Sequence, residues 1–276
     1  MGGAGSAGKS HMKKKKVASK VLGAMSILTL VFLWAPVLLI MVFSFSTNRY
    51  GVSWDGFTFK WYLELLHNDD VREALTRSLI ISGITVVVST FIGTMTAYGL
   101  FKLNFKGKQF LRTSILLPIV FPSIVTGSAL LVFFTRLIHI PLGYPSIIIA
   151  HIVFCSPVAV FIILGRMQRF DWAWEEAAMD LGATRVRTFI RVTGPQLMPA
   201  IMASAMLIFP WSFDDFVITY FVAGVGSTTL PIYIFSQLRF GSSPVINTIG
   251  TLLIFVTMAG MLLAFLMQRK IKRAAE

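Results

Sequence analysis

Along the 276 residues, apolar positions gather into long uninterrupted runs separated by short clusters of charge. The charge-free runs between Lys20 and Arg49, Arg77 and Lys102, and Arg112 and Arg136 hold 28, 24 and 23 residues. Those between Arg136 and Arg166 and between Arg239 and Arg269 hold 29 each, the former with two histidines. A helix needs about 20 apolar residues to cross a hydrocarbon core about 30 Å thick, so each run is long enough to span. The stretch from Arg191 to Arg239 is less uniform, because Asp214 and Asp215 interrupt it. Gly194-Pro195 and Pro199 open it and the turn-rich 224–231 segment closes it, which predicts one helix over 198–223 with the acidic pair inside. Residues 232–240 are too few to span and predict an interfacial or re-entrant helix. The pattern therefore predicts an all-α, polytopic membrane protein with six transmembrane helices.

Composition sharpens this picture. Hydrophobic residues make up 55% of the chain and charged ones 13%, about half the share found in soluble domains. Such apolar content excludes disorder. The single cysteine, Cys155, excludes a disulfide framework. The net charge of +13 does not indicate nucleic acid, because the cations lie between apolar runs rather than on one polar face. With the N-terminus inside, nineteen of the 25 Lys and Arg residues fall on the cytoplasmic side and six outside. The positive-inside rule thus predicts that both termini are cytoplasmic. Prolines 36, 118, 122, 157 and 210 fall within the runs, which favours a packed bundle that satisfies the freed carbonyls.

Two segments at the start of the chain need separate treatment. Residues 1–11, MGGAGSAGKSH, read as a leader ahead of a natural start at Met12. Within them Gly3, Gly8, Lys9 and Ser10 match a phosphate-loop pattern, but no strand precedes it and a lysine run follows, so no nucleotide site is expected. After the first run, Phe57, Phe59, Trp61, Tyr62, Leu65 and Leu66 predict a short aromatic helix at headgroup level that anchors the first hairpin.

The longest cytoplasmic segment runs RFDWAWEEAAMDLGATRVRTFIRVTGPQLMP. Asp171 is placed to cap a helix, with Glu175 and Glu176 near the positive end of its dipole. Gly182 stands where a positive φ is wanted. A second helix over 184–192 is expected to stop before Gly194-Pro195. The outcome is a rigid helix–turn–helix with Ala177 and Ala178 at the surface, where a partner backbone can approach closely. The alternative is a surface helix floating on headgroups through Trp172 and Trp174.

Glu176-Ala177-Ala178, three residues, then Gly182 resembles the EAA loop of the membrane subunits of binding-protein-dependent ABC importers. The family pattern continues I-x-L-P, and this chain has Val192-Thr193-Gly194-Pro195. The Gly194 departure is expected to loosen the lead into the fifth span. Phe57-Thr58-Phe59-Lys60-Trp61-Tyr62, His151 with Phe154-Cys155, Ser212-Phe213-Asp214-Asp215-Phe216-Val217 and Thr228-Thr229-Leu230-Pro231 extend the likeness. Residues 12–276 are similar to the C-type permease subunit of spermidine/putrescine importers and to its putrescine-specific relative. The resemblance implies the type I ABC importer permease architecture in a bacterial cytoplasmic membrane. It implies a coupling loop over 169–196 in which Glu175, Glu176, Ala177, Ala178, Asp180, Gly182 and Ala183 meet an ATPase. The implied partners are an ATPase dimer that binds the ATP and Mg, a second permease (a B-type heterodimer partner) and an extracytoplasmic polyamine-binding protein. No cofactor and no catalytic site are expected in this chain.

Asp214 and Asp215 are costly in a span, roughly 2.5–3.5 kcal/mol each on insertion scales, and such groups face a cavity or a partner charge. Successive helical residues point about 100° apart, so the two cannot address one point. One is expected to face the pathway and the other a basic group or the companion subunit, with Arg77 as a conceivable partner. Trp211, Phe213 and Tyr220 offer cation–π and apolar surface for a polyamine. Ser123 stands where family members often carry an acidic residue after the second proline of the third span. His151 and Cys155, four apart, share a helical face but lack further ligands, so core packing is expected rather than a metal site. The competing reading is a stand-alone secondary transporter or channel using the acidic pair, for which no inverted repeat is visible.

Overall fold

A computed structural model describes the backbone of residues 4–48, 53–239 and 244–275, and the side chains of 19–48, 53–239 and 244–259. The chain divides into two compact units, Met1–Asn68 with Gln237–Glu276, and Asp69–Ser236.

In the first unit, α1 spans Ala4–Phe43 and contains the first apolar run. Gly8, Lys9 and Ser10 lie on its helical backbone rather than in a loop, while Gly3 and the side chains of residues 1–18 lie outside the described residues. The apolar side chains of Ser19–Phe43 are mostly exposed, Phe32 by 77%, as expected of a face made for lipid or another subunit. The turn after α1 is clamped by aromatics. The Trp61 indole N–H donates to the Ser46 carbonyl at 2.7 Å, Ser44 and Tyr62 hydroxyls meet at 2.8 Å, and Phe45 stacks on Phe57 and Tyr62. Helix α2, Lys60–Leu66, starts later than the aromatic run, since Phe57 bridges back to Ser46 in extended form.

In the second unit, α3 (Asp69–Lys102) packs against α7 (Tyr144–Met167) and α10 (Gly194–Phe213). The buried face of α3 is small and polar, with Ser78, Ser82, Thr85, Ser89, Gly93 and Ala97 in register. A Cβ on Gly93 would lie 2.3 Å from the Ala159 Cβ, so α3 and α7 approach as closely as backbones allow. Small residues at helix contacts are the membrane substitute for hydrophobic driving force.

The third predicted span is not one straight helix. It is divided into α4 (Lys108–Ser114), α5 (Leu117–Val120) and α6 (Ser123–Val132), the last continued by a π turn at Phe133–Leu137. The chain bends by 106° between Val120 and Ser123. Pro122 excludes the helical region for Phe121, which sits extended at ψ 140°, and the direction is lost there.

Beyond α7 come α8 (Ala173–Asp180) and α9 (Arg185–Thr188), a π turn at Phe189–Thr193, and then α10. Gly194-Pro195 does not stop the helix, contrary to expectation, and Arg185–Phe213 runs on as one 29-residue rod. In the π turn the Gly194 N–H donates to the Phe189 carbonyl, five residues back, so the wider turn absorbs the donor that Pro195 lacks. A Cβ at position 194 would sit 3.0 Å from that same carbonyl. Gly194 therefore stands where a side chain would crowd the Phe189 carbonyl.

The predicted 198–223 helix is also divided. Helix α10 ends at Phe213, and α11 covers Val217–Val222, so Asp214 and Asp215 stand at a break rather than inside a helix. Helix α12 covers Leu230–Arg239 as the short segment predicted there, with Phe240 outside the described residues, and α13 covers Pro244–Ala275 and packs against α1 and α2. Among the described residues, four helices are long and apolar enough to cross a membrane, or five if the bent pair is one span.

Candidate functional site

Two places in the second unit gather the predicted residues: the arm between α7 and α10, and the break between α10 and α11. The arm begins as predicted. The Asp171 carboxylate accepts the Ala173 N–H at 3.1 Å, and Gly182 takes φ +84°, a conformation that costs a residue with a Cβ roughly 1–2 kcal/mol. Thr184 caps the next turn by accepting the Arg187 N–H. Glu176, Ala177, Asp180 and Gly182 are exposed, while Ala178 and Ala183 are half-buried. Leu181, at the tip, is 89% exposed.

Glu175 departs from the expected set. It is 3% exposed and turned inward. Its carboxylate lies 2.6 Å from the Lys102 ammonium and accepts the Thr193 hydroxyl at 2.5 Å and the Tyr98 hydroxyl at 3.4 Å. Lys102 also lies 3.8 Å from the centre of the Trp172 ring, which stacks on Phe101 at 4.7 Å. Trp172 is thus pinned to the end of α3, while Trp174 is exposed. Sequence reasoning missed this cluster, although a lysine closing one apolar run and a doubled glutamate opening a helix were both in view.

At the break, Asp215 is held from three sides. Its carboxylate accepts the Thr219 N–H at 2.8 Å and the Thr219 hydroxyl at 2.9 Å, which caps α11, and the His151 Nε2 lies 3.6 Å away. His151 itself is 1% exposed, bonded to Ser212 at 2.7 Å and to Thr219 at 2.9 Å. The histidine expected as core packing is therefore the polar partner of Asp215 as well. Arg77, the partner considered for the acidic pair, pairs instead with Glu73 on its own helix at 2.5 Å.

Asp214 is exposed, and among the described residues its carboxylate has no hydrogen-bond or ion-pair partner. Ser123, Trp211 and Asp215 share the wall of a cavity of about 50 Å³ with Thr126, Phe154 and Ile218. Phe213, Tyr220 and Asp214 do not line it: Phe213 stacks on Phe209, and Tyr220 packs against Phe216 and Phe221. A larger cavity of about 540 Å³, walled in part by Lys108 and Arg112, takes none of the predicted pathway residues.

The family described as binding-protein-dependent transport system inner membrane component matches residues 89–276, which contain both the arm and the break. The chain belongs to that family. Putrescine transport system permease protein PotI of Escherichia coli (strain K12) is 37% identical over 255 residues, 90% of each chain. Spermidine/putrescine transport system permease protein PotC of the same organism is 35% identical over 238 residues, 86% of this chain and 90% of PotC. In fold, the chain superposes with a TM-score of 0.72 on a chain of a bacterial alginate ABC transporter solved with an alginate pentasaccharide-bound periplasmic protein. That match is 20% identical and covers 95% of this chain and 97% of the other. Membership of a family of inner membrane components accounts for the apolar runs.

Proposed function

We propose that the chain is a transmembrane subunit of an ATP-driven polyamine importer of the spermidine/putrescine type, with six spans in the type I arrangement and both termini cytoplasmic. It forms the translocation pathway with a second, different permease. It receives polyamine from an extracytoplasmic binding protein and docks an ATPase dimer that carries the ATP, the Mg and the hydrolysis. The nineteen-to-six division of Lys and Arg supports the orientation, and the names of relatives that match nearly end to end support the substrate class.

The observation that carries the reading is the exposed knob formed by Glu176, Ala177 and the Gly182 turn, standing between two helices long enough to span. Closure of the nucleotide-bound ATPases pushes on such a knob, and rigidity is what lets the push move helices rather than bend a loop. On the substrate side, Asp214 is the carboxylate exposed to meet an ammonium group, with Trp211 exposed nearby, while Asp215 keeps the break in place. A cation–π contact with Trp211 adds about 0.5–2 kcal/mol to such an encounter. A neutral Ser123 beside Asp215 also fits import of another small cationic or amino-bearing solute, which competition against labelled putrescine would reveal.

The test is uptake of labelled putrescine by cells carrying the complete importer. Gly182→Leu and Glu176→Lys are expected to abolish uptake and ATPase copurification while the permease still inserts. Wild-type uptake by both variants would refute the coupling role. A purified chain that moves cations in liposomes without an ATPase would be a stand-alone transporter instead.

A further inference from the structure

We infer that Glu175 is a positioning residue that ties the arm to two membrane helices, and not a contact for the ATPase. This rests on the coupling-arm reading above and assigns the path by which the arm's motion enters the bundle. Glu175 and Glu176 are adjacent, and on a helix adjacent side chains point about 100° apart. Glu176 is exposed and Glu175 is enclosed, so only one of the two is available to a docking protein.

The enclosed carboxylate joins three elements that the chain order keeps apart. Lys102 closes α3, Glu175 lies in the first turn of α8, and Thr193 ends the π turn that leads into α10. Tyr98, one turn before Lys102, adds a hydroxyl and packs edge-on against Phe189, the first residue of that π turn, at 4.9 Å. Trp172 closes the cluster between Phe101 and the Lys102 ammonium. The arm is therefore fixed at its base and exposed at its tip, where Leu181 and Gly182 stand. A push at the tip is delivered through the base to the ends of α3 and α10 together. A buried carboxylate with a cation and a hydroxyl in hydrogen-bond reach resists displacement, because moving it strands a charge away from water. The same burial makes it a poor docking contact, since a partner would have to break the pair before touching it.

The experiment uses the complete importer in proteoliposomes, with Glu175→Gln as the main variant and the swap Glu175→Lys with Lys102→Glu beside it. The expected result is that Glu175→Gln retains the ATPase at wild-type stoichiometry, while putrescine moved per ATP hydrolysed falls at least tenfold. The swap is expected to recover part of that ratio relative to either single exchange. An unchanged ratio in Glu175→Gln overturns the proposal. So does loss of the ATPase from a correctly inserted Glu175→Gln permease, which would make Glu175 a docking contact. Failure of insertion by both single exchanges with no recovery in the swap would leave it a packing residue only, and overturns it too. Gly182→Leu in the same assay separates the two roles: if it transports normally, the arm does not couple at all, whatever Glu175 does.

Discussion

Glu175 and Asp215 are both enclosed carboxylates near opposite ends of α10, and they are held in different ways. Glu175 meets a lysine ammonium at 2.6 Å and joins segments that lie far apart in the chain. Asp215 is held chiefly by its own following turn, through the Thr219 N–H and hydroxyl, with His151 as its contact from another helix. The first arrangement transmits, because displacing any one element displaces the others. The second caps, because it ends one helix and starts the next, leaving Asp214 exposed at the break. The difference shows that a buried acid in such a chain is read from its partners, not from its depth.

Lys102→Met is expected to have the largest effect on stability. It leaves Glu175 enclosed without a cation, a change that costs about 3–5 kcal/mol when a buried pair is broken from one side. Denaturant titration in mixed micelles measures it, and adding Glu175→Leu to Lys102→Met is expected to cost less than the sum of the two single changes. If Lys102→Met costs as little as an exposed exchange, the contrast with Asp215 disappears.

Asp215→Asn is expected to cost less, about 1–3 kcal/mol, because the amide oxygen still accepts from Thr219 while the charge assistance is lost. The same titration reads it. Uptake is expected to fall in step with stability, as for a structural cap. Asp214→Asn has the smallest expected effect on stability, within about 0.5 kcal/mol, as for an exposed residue. Its uptake of labelled putrescine is nevertheless expected to fall at least tenfold. Reversal of these two results would exchange the roles of the acidic pair.

The arm and the aromatic clamp are legible in the amino-acid sequence, and the two breaks are not. Gly182, Asp171 and Thr184 announce a capped arm through local turn chemistry, and the observed φ and caps agree. The aromatic clamp after the first run is legible for the same reason, since its members are near neighbours in sequence. The break at Asp214 is hidden, because a six-residue α11 is too short to leave a periodic signal and Asp215 caps it through a residue only four positions on. The bend at Pro122 is equally hidden, because a proline in a span is compatible with either a kink or a full reversal of direction, depending on its neighbours.

Sequence alone determined the long apolar runs and the arm with its exposed turn, because each depends on composition or on residues within a few positions of one another. Tertiary structure alone decided that Glu175 points inward to Lys102, that His151 stands beside Asp215, and that Gly93 lets α3 meet α7 at Ala159. Those pairings join residues dozens of positions apart, and no local pattern records which distant side chain will satisfy a buried charge. The choice is made by the close packing of helices, which decides which few side chains come within reach of a buried polar group.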